Sequence, residues 1–213
     1  MSGARGVAPA KRGLAGEPGD PPADIGTLGD EMLVALALQG HDRATGLLYR
    51  RHAPFALNLA AHIAGSTQDI EDVVHDAYLQ ALDGLSTLRS PRAFRTWLGS
   101  IVVHLVRTRL RRGRLLRLLG LGRTDTPVDV QAIASDSASP QACAELAQIY
   151  ALLQTVSVQD RIAWTLRYVE GHDLPAAAEL AGCSLATVKR RIGRAQRHLE
   201  RHFVTPSRGE TRS

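Results

Sequence analysis

The sequence predicts an all-α protein of two small helical domains joined by a flexible linker, the second domain carrying a helix-turn-helix. Three observations predict it. Hydrophobic residues make up 44% of the 213-residue chain but aromatic ones only 4%, so Leu, Ala, Val and Ile must fill the cores, a composition that favours helices. Apolar residues recur at helical spacing in segment after segment. Charge also reverses along the chain: ten arginines and no acid lie between Arg89 and Arg123, then five acids and no Lys or Arg between Thr124 and Asp160.

From Met1 to about Thr27 the chain is rich in Gly, Pro and Ala without apolar periodicity, and it reads as a disordered leader. Helical patterning begins at EMLVALALQG and continues through LLYRRHAPFALNLAAHIAG, with Gly40 and Gly65 as C-terminal stops and Pro54 as a kink or break. In DIEDVVHDAYLQALDGL, residues Ile70, Val73, Val74, Ala77 and Ala81 form a core face. Asp72, His75, Asp76, Leu79 and Asp83 fall on the opposite side. That side reads as an ordinary solvated face or, given Leu79 in its middle, as a protein-binding surface.

After LSTLRSPR a long helix is expected from about Ala93 to Arg112, with Phe94, Trp97, Leu98, Ile101 and Leu105 as its buried stripe. Phe94 and Trp97 fit a core at this spacing, and they also fit a base-stacking platform. Arg107, Arg109, Arg111 and Arg112 ring the far end of the helix, so that end must project into solvent or onto an anion. Residues 113–140, including TDTPVDVQAIASDSASP, read as a linker that reaches roughly 90 Å when extended. The domains are therefore placed at 28–112 and 141–203, with a disordered tail at 204–213.

The second domain resumes at QACAELAQIYALLQTV and VQDRIAWTLRYVEG and ends in DLPAAAELAGCSLATVKRRIGRAQRHLERH. Asp173 can cap a short helix with Pro175 in its first turn, Gly182 supplies the turn, and Ser184 caps the next helix. This is a helix-turn-helix. Leu185, Val188, Ile192, Ala195 and Leu199 form the core stripe of the second helix, leaving Ala186, Arg190, Gly193, Arg194, Arg197 and Arg201 outward. A basic face on the second helix of such a motif points to DNA contact, with Thr187, Arg190 and Arg194 near base edges and Lys189, Arg191 and Arg197 towards phosphates.

The formal charge of +5 and pI near 9.8 agree with a polyanionic partner. Nearly every cation is arginine, Lys11 and Lys189 being the only lysines. Cys143 and Cys183 are far apart in sequence and read as reduced, buried thiols, a redox switch between them being the lesser alternative. His198 and His202 share the spacing of two metal ligands, but no carboxylate or cysteine set completes a site, so no metal or cofactor is expected. No phosphate-cradling glycine loop, nucleophile elbow or carboxylate pair points to an enzyme. Without a membrane-length apolar run or a signal-peptide core, the chain is expected in the cytoplasm with no membrane insertion.

Taken together, the motifs resemble the sigma-70 family, specifically its extracytoplasmic-function group. GLLYRRHAPFALNLA followed by DIEDVVHDAYLQAL resembles the second conserved region. The resemblance implies that its acidic helix, here Asp72, His75, Asp76, Leu79 and Asp83, docks on core RNA polymerase. FRTWLGSIVVHLVRTRLRR resembles the helix that meets the minus-ten promoter element. That implies DNA contacts from Arg89, Arg92, Phe94, Trp97, His104, Arg107, Arg109, Arg111 and Arg112, with the loop from about Leu85 to Arg92 capturing a flipped base. DLPAAAELAGCSLATVKRRIGRAQ resembles the fourth region, whose helix-turn-helix reads the minus-thirty-five element. The implied partners are core RNA polymerase and promoter DNA, with an anti-sigma protein as a further candidate. The chain departs from the family pattern at His75 (commonly Gln), His104 (commonly Asn), Thr108 (often Asp), and Ala176 and Ala177 (usually Glu and Ile). The alternative is a helix-turn-helix transcription regulator with an N-terminal sensor or dimerisation module.

Overall fold

The computed structural model describes residues 25–121 and 139–203. The leader up to residue 24, the linker from 122 to 138 and the tail at 204–213 lie outside the described residues. Among the described residues the chain forms eight helices and no strand.

Polar caps and glycines set the boundaries. The first four helices are α1 (Asp30–Leu38), α2 (Asp42–Ala64), α3 (Ile70–Gly84) and α4 (Phe94–Leu118). The last four are α5 (Pro140–Thr155), α6 (Val158–Tyr168), α7 (Leu174–Leu180) and α8 (Leu185–His202). Ser139, Ser157, Asp173 and Ser184 cap α5 to α8, each side-chain oxygen accepting from the backbone N–H three residues on. Gly65 closes α2 with φ of 66°, a left-handed conformation that costs glycine no Cβ clash, while its N–H donates to the Ala61 carbonyl at 2.7 Å. Gly182, at φ of 60°, does the same between α7 and α8.

Three boundaries differ from the sequence-based expectation. Pro54 does not break the helix: α2 runs through it, with Pro54 on the exposed side and Leu48, His52, Ala56 and Leu59 on the inward one. The expected leader is ordered from Ile25, which forms a 3-10 turn with Thr27 and is fully buried. Arg51 holds this segment by donating to Asp30 at 2.7 Å and to the Leu28 carbonyl at 2.9 Å, and His52 Nε2 meets the other Asp30 oxygen at 2.9 Å. At the far end α4 continues six residues past Arg112 to Leu118, since RLLRL is as good a helix former as what precedes it.

Two cores build the N-terminal half. One gathers Ile25, Leu33, Val34, Leu48, Tyr78, Leu85, Phe94 and Leu98 where α1 crosses α2 and the start of α4. Tyr78 is buried and donates its hydroxyl to the Leu48 carbonyl at 2.5 Å, so its polar tip is satisfied. The other core holds Leu59, Ile63, Val73, Val74, Val102, Val103 and Val106. The stripe expected on α4 thus shifts as the helix advances. Phe94 and Leu98 are buried, Trp97, Ile101 and Leu105 are half-buried, and Val102, Val103 and Val106 do the deeper packing. In the C-terminal half, Leu153, Ala195 and Leu199 join α5 to α8, with Trp164 against them donating to Gln196 Oε1 at 2.9 Å.

The two halves share a core. Ile162, Ala163 and Leu166 of α6, Ala177, Ala178 and Leu180 of α7, and Val188 and Ile192 of α8 belong to the same apolar cluster as the α2, α3 and α4 residues. Both cysteines are half-buried free thiols rather than fully buried ones. No described helix is long and apolar enough to cross a membrane.

Candidate nucleic-acid interface

The helix-turn-helix is α7 and α8, joined by the turn at Gly182. Val188, Ile192, Ala195 and Leu199 are buried as the periodicity requires, whereas Leu185, expected in that stripe, is 43% exposed. Leu185 is the first residue of α8, one turn before the helix enters the core.

The six outward residues expected to meet DNA divide into two groups. Lys189, Arg190 and Arg197 are exposed. The other three are tied down. Thr187 is half-buried and shares a hydrogen bond with Ser184 Oγ at 2.9 Å, so its hydroxyl serves the cap. Arg191 donates to Gln159 Oε1 at 3.4 Å. Arg194 forms a two-pronged ion pair with Asp160, Nε to Oδ2 at 3.0 Å and Nη2 to Oδ1 at 2.6 Å. This hydrogen bonding to the carboxylate raises the Arg194 pKa above its ordinary value, so its charge is fixed. Asp160 and Gln159 sit in the first turn of α6 and brace α8 from behind. Periodicity within α8 gives no hint of them; the only sequence sign is an acid three residues after the Ser157 cap.

The second basic surface lies on α4 and the loop before it. Arg89, Arg111 and Arg112 are exposed. Arg92 pairs with Glu31 and Arg109 with Asp69 on the surface, while His104 Nδ1 accepts from Arg107 Nη2 at 2.8 Å. Arg107 is half-buried, and its Nη1 also donates to the Ala181 carbonyl in the C-terminal half at 3.4 Å. Phe94 requires a correction. Its ring is 1% exposed, held 5.1 Å from the His52 ring and 6.2 Å from Trp97, so it supports the surface from within and offers no face for stacking. Trp97 is half-buried, with its ring over Gly84.

The third surface is acidic. Asp72, His75, Asp76, Leu79 and Asp83 are all exposed along one side of α3, Leu79 by 49%. None of its three aspartates forms an ion pair among the described residues. Ile70, Val73, Val74, Ala77 and Tyr78 anchor the other side, so the carboxylates stand on a rigid support.

A protein with one basic surface on α4, a second on the helix-turn-helix and an unpaired acidic face on α3 has the layout of a promoter-binding subunit. The profile described as Sigma-70 region 2 matches residues 48–115, and that described as Sigma-70, region 4 matches residues 146–199. The chain belongs to the sigma-70 family. It is 32% identical over 176 residues to the RNA polymerase sigma factor CnrH of Cupriavidus metallidurans, covering 80% of this chain and 92% of that protein. It is 28% identical over 187 residues to the extracytoplasmic-function sigma-E factor of Escherichia coli, covering 81% and 93%. The solved structure of CnrH in complex with the cytosolic domain of CnrY superposes with a TM-score of 0.53 at 29% identity, covering 81% of this chain and 95% of that one. RpoE bound to the anti-sigma factor NepR from Bartonella quintana gives 0.55 at 21% identity, covering 72% and 92%, a likeness of fold alone. The region 2 match spans most of α2, all of α3 and nearly all of α4; the region 4 match spans most of α5 to α8. Its family function is that of an RNA polymerase sigma factor in transcription initiation.

Proposed function

We propose that this sigma factor works through three surfaces with separate tasks. The α3 face of Asp72, His75, Asp76, Leu79 and Asp83 docks on a basic surface of core RNA polymerase. The α4 surface, with Arg89, Arg92, Trp97, His104, Arg107, Arg109, Arg111 and Arg112, holds the downstream promoter element and its backbone. On α8, Arg190 reads base edges of the upstream element while Lys189 and Arg197 hold phosphates. Thr187, Arg191 and Arg194 set the pose of that helix through the Ser184 cap, Gln159 and Asp160. Catalysis is left to the polymerase.

The observation that carries this reading is the acidic face. Three exposed, unpaired aspartates around an exposed leucine on a rigidly anchored helix support attraction to a basic protein surface, which a regulator that only binds DNA does not require. The relatives CnrH and RpoE are seen with CnrY and with the anti-sigma factor NepR, and this chain is proposed to have a protein antagonist of the same kind. Association with purified core polymerase, followed by gel filtration, tests the reading. A stable complex is expected. A chain that elutes unchanged beside core polymerase supports the helix-turn-helix regulator instead.

A further inference from the structure

Among the described residues, five of the eleven large apolar side chains that stand exposed crowd into the seven positions at the end of α4 and just beyond it. Leu115, Leu116, Leu118, Leu119 and Leu121 are 36–78% exposed, and none of them belongs to or packs against a core cluster. Leu115 and Leu118 edge an open groove towards Val158 of α6. Isolated leucines on a surface are ordinary, but a contiguous set marks a place where something else binds.

The same stretch is cationic. Arg111, Arg112, Arg114 and Arg117 precede the leucines or alternate with them, and no acid occurs between Arg89 and Arg123. Leu115, Leu118 and Leu119 follow the i, i+3, i+4 spacing that puts them on one side of a helix, while Arg114 and Arg117, three apart, share another. The helix end also satisfies its own backbone. Leu119 N–H donates to the Leu115 carbonyl at 3.1 Å, Gly120 N–H to Arg117 at 3.0 Å and Leu121 N–H to Leu116 at 2.9 Å, with Gly120 left-handed at φ of 69°. A helix end ordinarily leaves its last carbonyls to water. Three of them are paired here, which lowers the cost of apolar surroundings.

Duplex DNA accounts for the arginines and not for the leucines, because its outer surface offers phosphates and no apolar phase. A bilayer face with anionic headgroups accounts for both, guanidinium meeting phosphate and leucine meeting the acyl chains just beneath. We propose that residues 111–121, the end of α4 and its closing turn, are a docking site for an anionic phospholipid surface. A helix with its side chains is about 10–12 Å across. Sinking the leucine side by the roughly 5–10 Å usual for interfacial helices therefore leaves the arginine flank at headgroup level. The arginine stems lie along the acyl boundary and their guanidinium groups reach back to the phosphates. The chain lies on the bilayer without crossing it, as no described helix is long and apolar enough to span one.

Flotation of the full chain with lipid vesicles tests the proposal. Wild type should rise with vesicles of phosphatidylcholine mixed with phosphatidylglycerol and stay behind with phosphatidylcholine alone. Leu118→Gln, Leu119→Gln and Leu121→Gln together remove only exposed side chains, so the circular dichroism spectrum should not change. Affinity for the anionic vesicles should fall at least about tenfold, corresponding to about 1.4 kcal/mol. Leu118→Trp adds a fluorophore at the contact, and its emission should be quenched by phosphatidylglycerol brominated on the acyl chains. Equal affinity of wild type and the triple variant, or no quenching at residue 118, shows attraction by charge alone and overturns the proposal. Equal binding to neutral vesicles, or binding to neither kind, overturns it as well. Gel filtration covers the remaining occupant: a wild-type dimer that becomes a monomer in the triple variant assigns the leucines to a second copy of the chain and overturns the lipid site.

Discussion

Arg194 of α8 and Asp160 of α6 are joined by two hydrogen bonds, at 3.0 and 2.6 Å, across the back of the helix-turn-helix. The pair is asymmetric: the Asp160 side chain is 9% exposed, while the Arg194 side chain is 45% exposed. Truncating each partner therefore leaves a different remainder. Arg194→Ala strands a buried carboxylate and should cost about 2–3 kcal/mol of stability. Asp160→Asn frees an arginine that water can solvate and should cost only about 1 kcal/mol. Urea unfolding of the two variants checks the order.

The neighbouring Arg190 behaves differently because nothing in the fold depends on it. Arg190→Ala should leave stability within about 0.5 kcal/mol of wild type. It should weaken upstream-element binding by about 1–3 kcal/mol, the usual worth of one base-edge pairing. Titration of labelled promoter DNA with each variant separates this loss of recognition from the destabilisation caused by Arg194→Ala. Equal loss of melting temperature in both variants would contradict the division.

The acidic face gives a third expectation. Asp72, Asp76 and Asp83 are exposed and their helix is anchored from the other side, so reversal of all three to Lys should preserve the circular dichroism spectrum and melting temperature. Core polymerase binding should be abolished as attraction becomes repulsion. A folded triple variant that still binds core polymerase at wild-type strength shows the docking face to be elsewhere.

On α4, Arg111 and Arg112 are free to meet phosphates, whereas Arg109 must first leave Asp69. Replacing Arg111 and Arg112 with Gln should reduce the slope of log binding constant against log salt by about 2, near 0.9 for each phosphate no longer neutralised. Asp69→Asn should have the opposite tendency, strengthening binding by releasing Arg109. Promoter binding at several salt concentrations reads both.

A pH dependence follows from His52, whose pKa lies below its ordinary 6.5 because burial, with the charges of Arg51 and Arg95 nearby, disfavours the imidazolium more than Asp30 restores it. Between about pH 7 and 5 the unfolded chain takes up this proton more readily than the folded one. Stability contributed by His52 is therefore present above 6.5 and is lost as pH falls. Burial pushes the Asp30 carboxyl up, but Arg51 and His52 together hold it below its ordinary 3.8, so it stays charged throughout this window. Unfolding at the two pH values should show a loss in wild type that is smaller in His52→Asn.

Much of this was legible in the residues because helix periodicity and polar caps are local. The Asp173 and Ser184 caps, the Gly65 and Gly182 turns and the two faces of α3 stand where the sequence places them. What stayed hidden depends on tertiary partners. No periodicity on α8 indicates that Arg194 is committed to Asp160, and none on α6 that Arg161 reaches the Ala64 carbonyl 97 residues earlier. Phe94 looked suited to both core and surface, since spacing on one helix does not say how deeply other elements cover it. Ile25 was hidden because one apolar side chain after a Gly- and Pro-rich stretch carries no period. The joining of the two halves was the least legible feature, as it relies on Gly99 and Gly65 leaving space for side chains from another part of the chain.

Transcription in vitro from genomic DNA of the source organism, by core polymerase with and without this protein and with the 5′ ends of the transcripts mapped, tests the sigma-factor function most directly. New start sites are expected that appear only with the protein, share a pair of upstream sequence elements, and lose the upstream preference when Arg190 becomes Ala. No start sites beyond those of core polymerase alone, with a protein shown to be folded, would contradict that function.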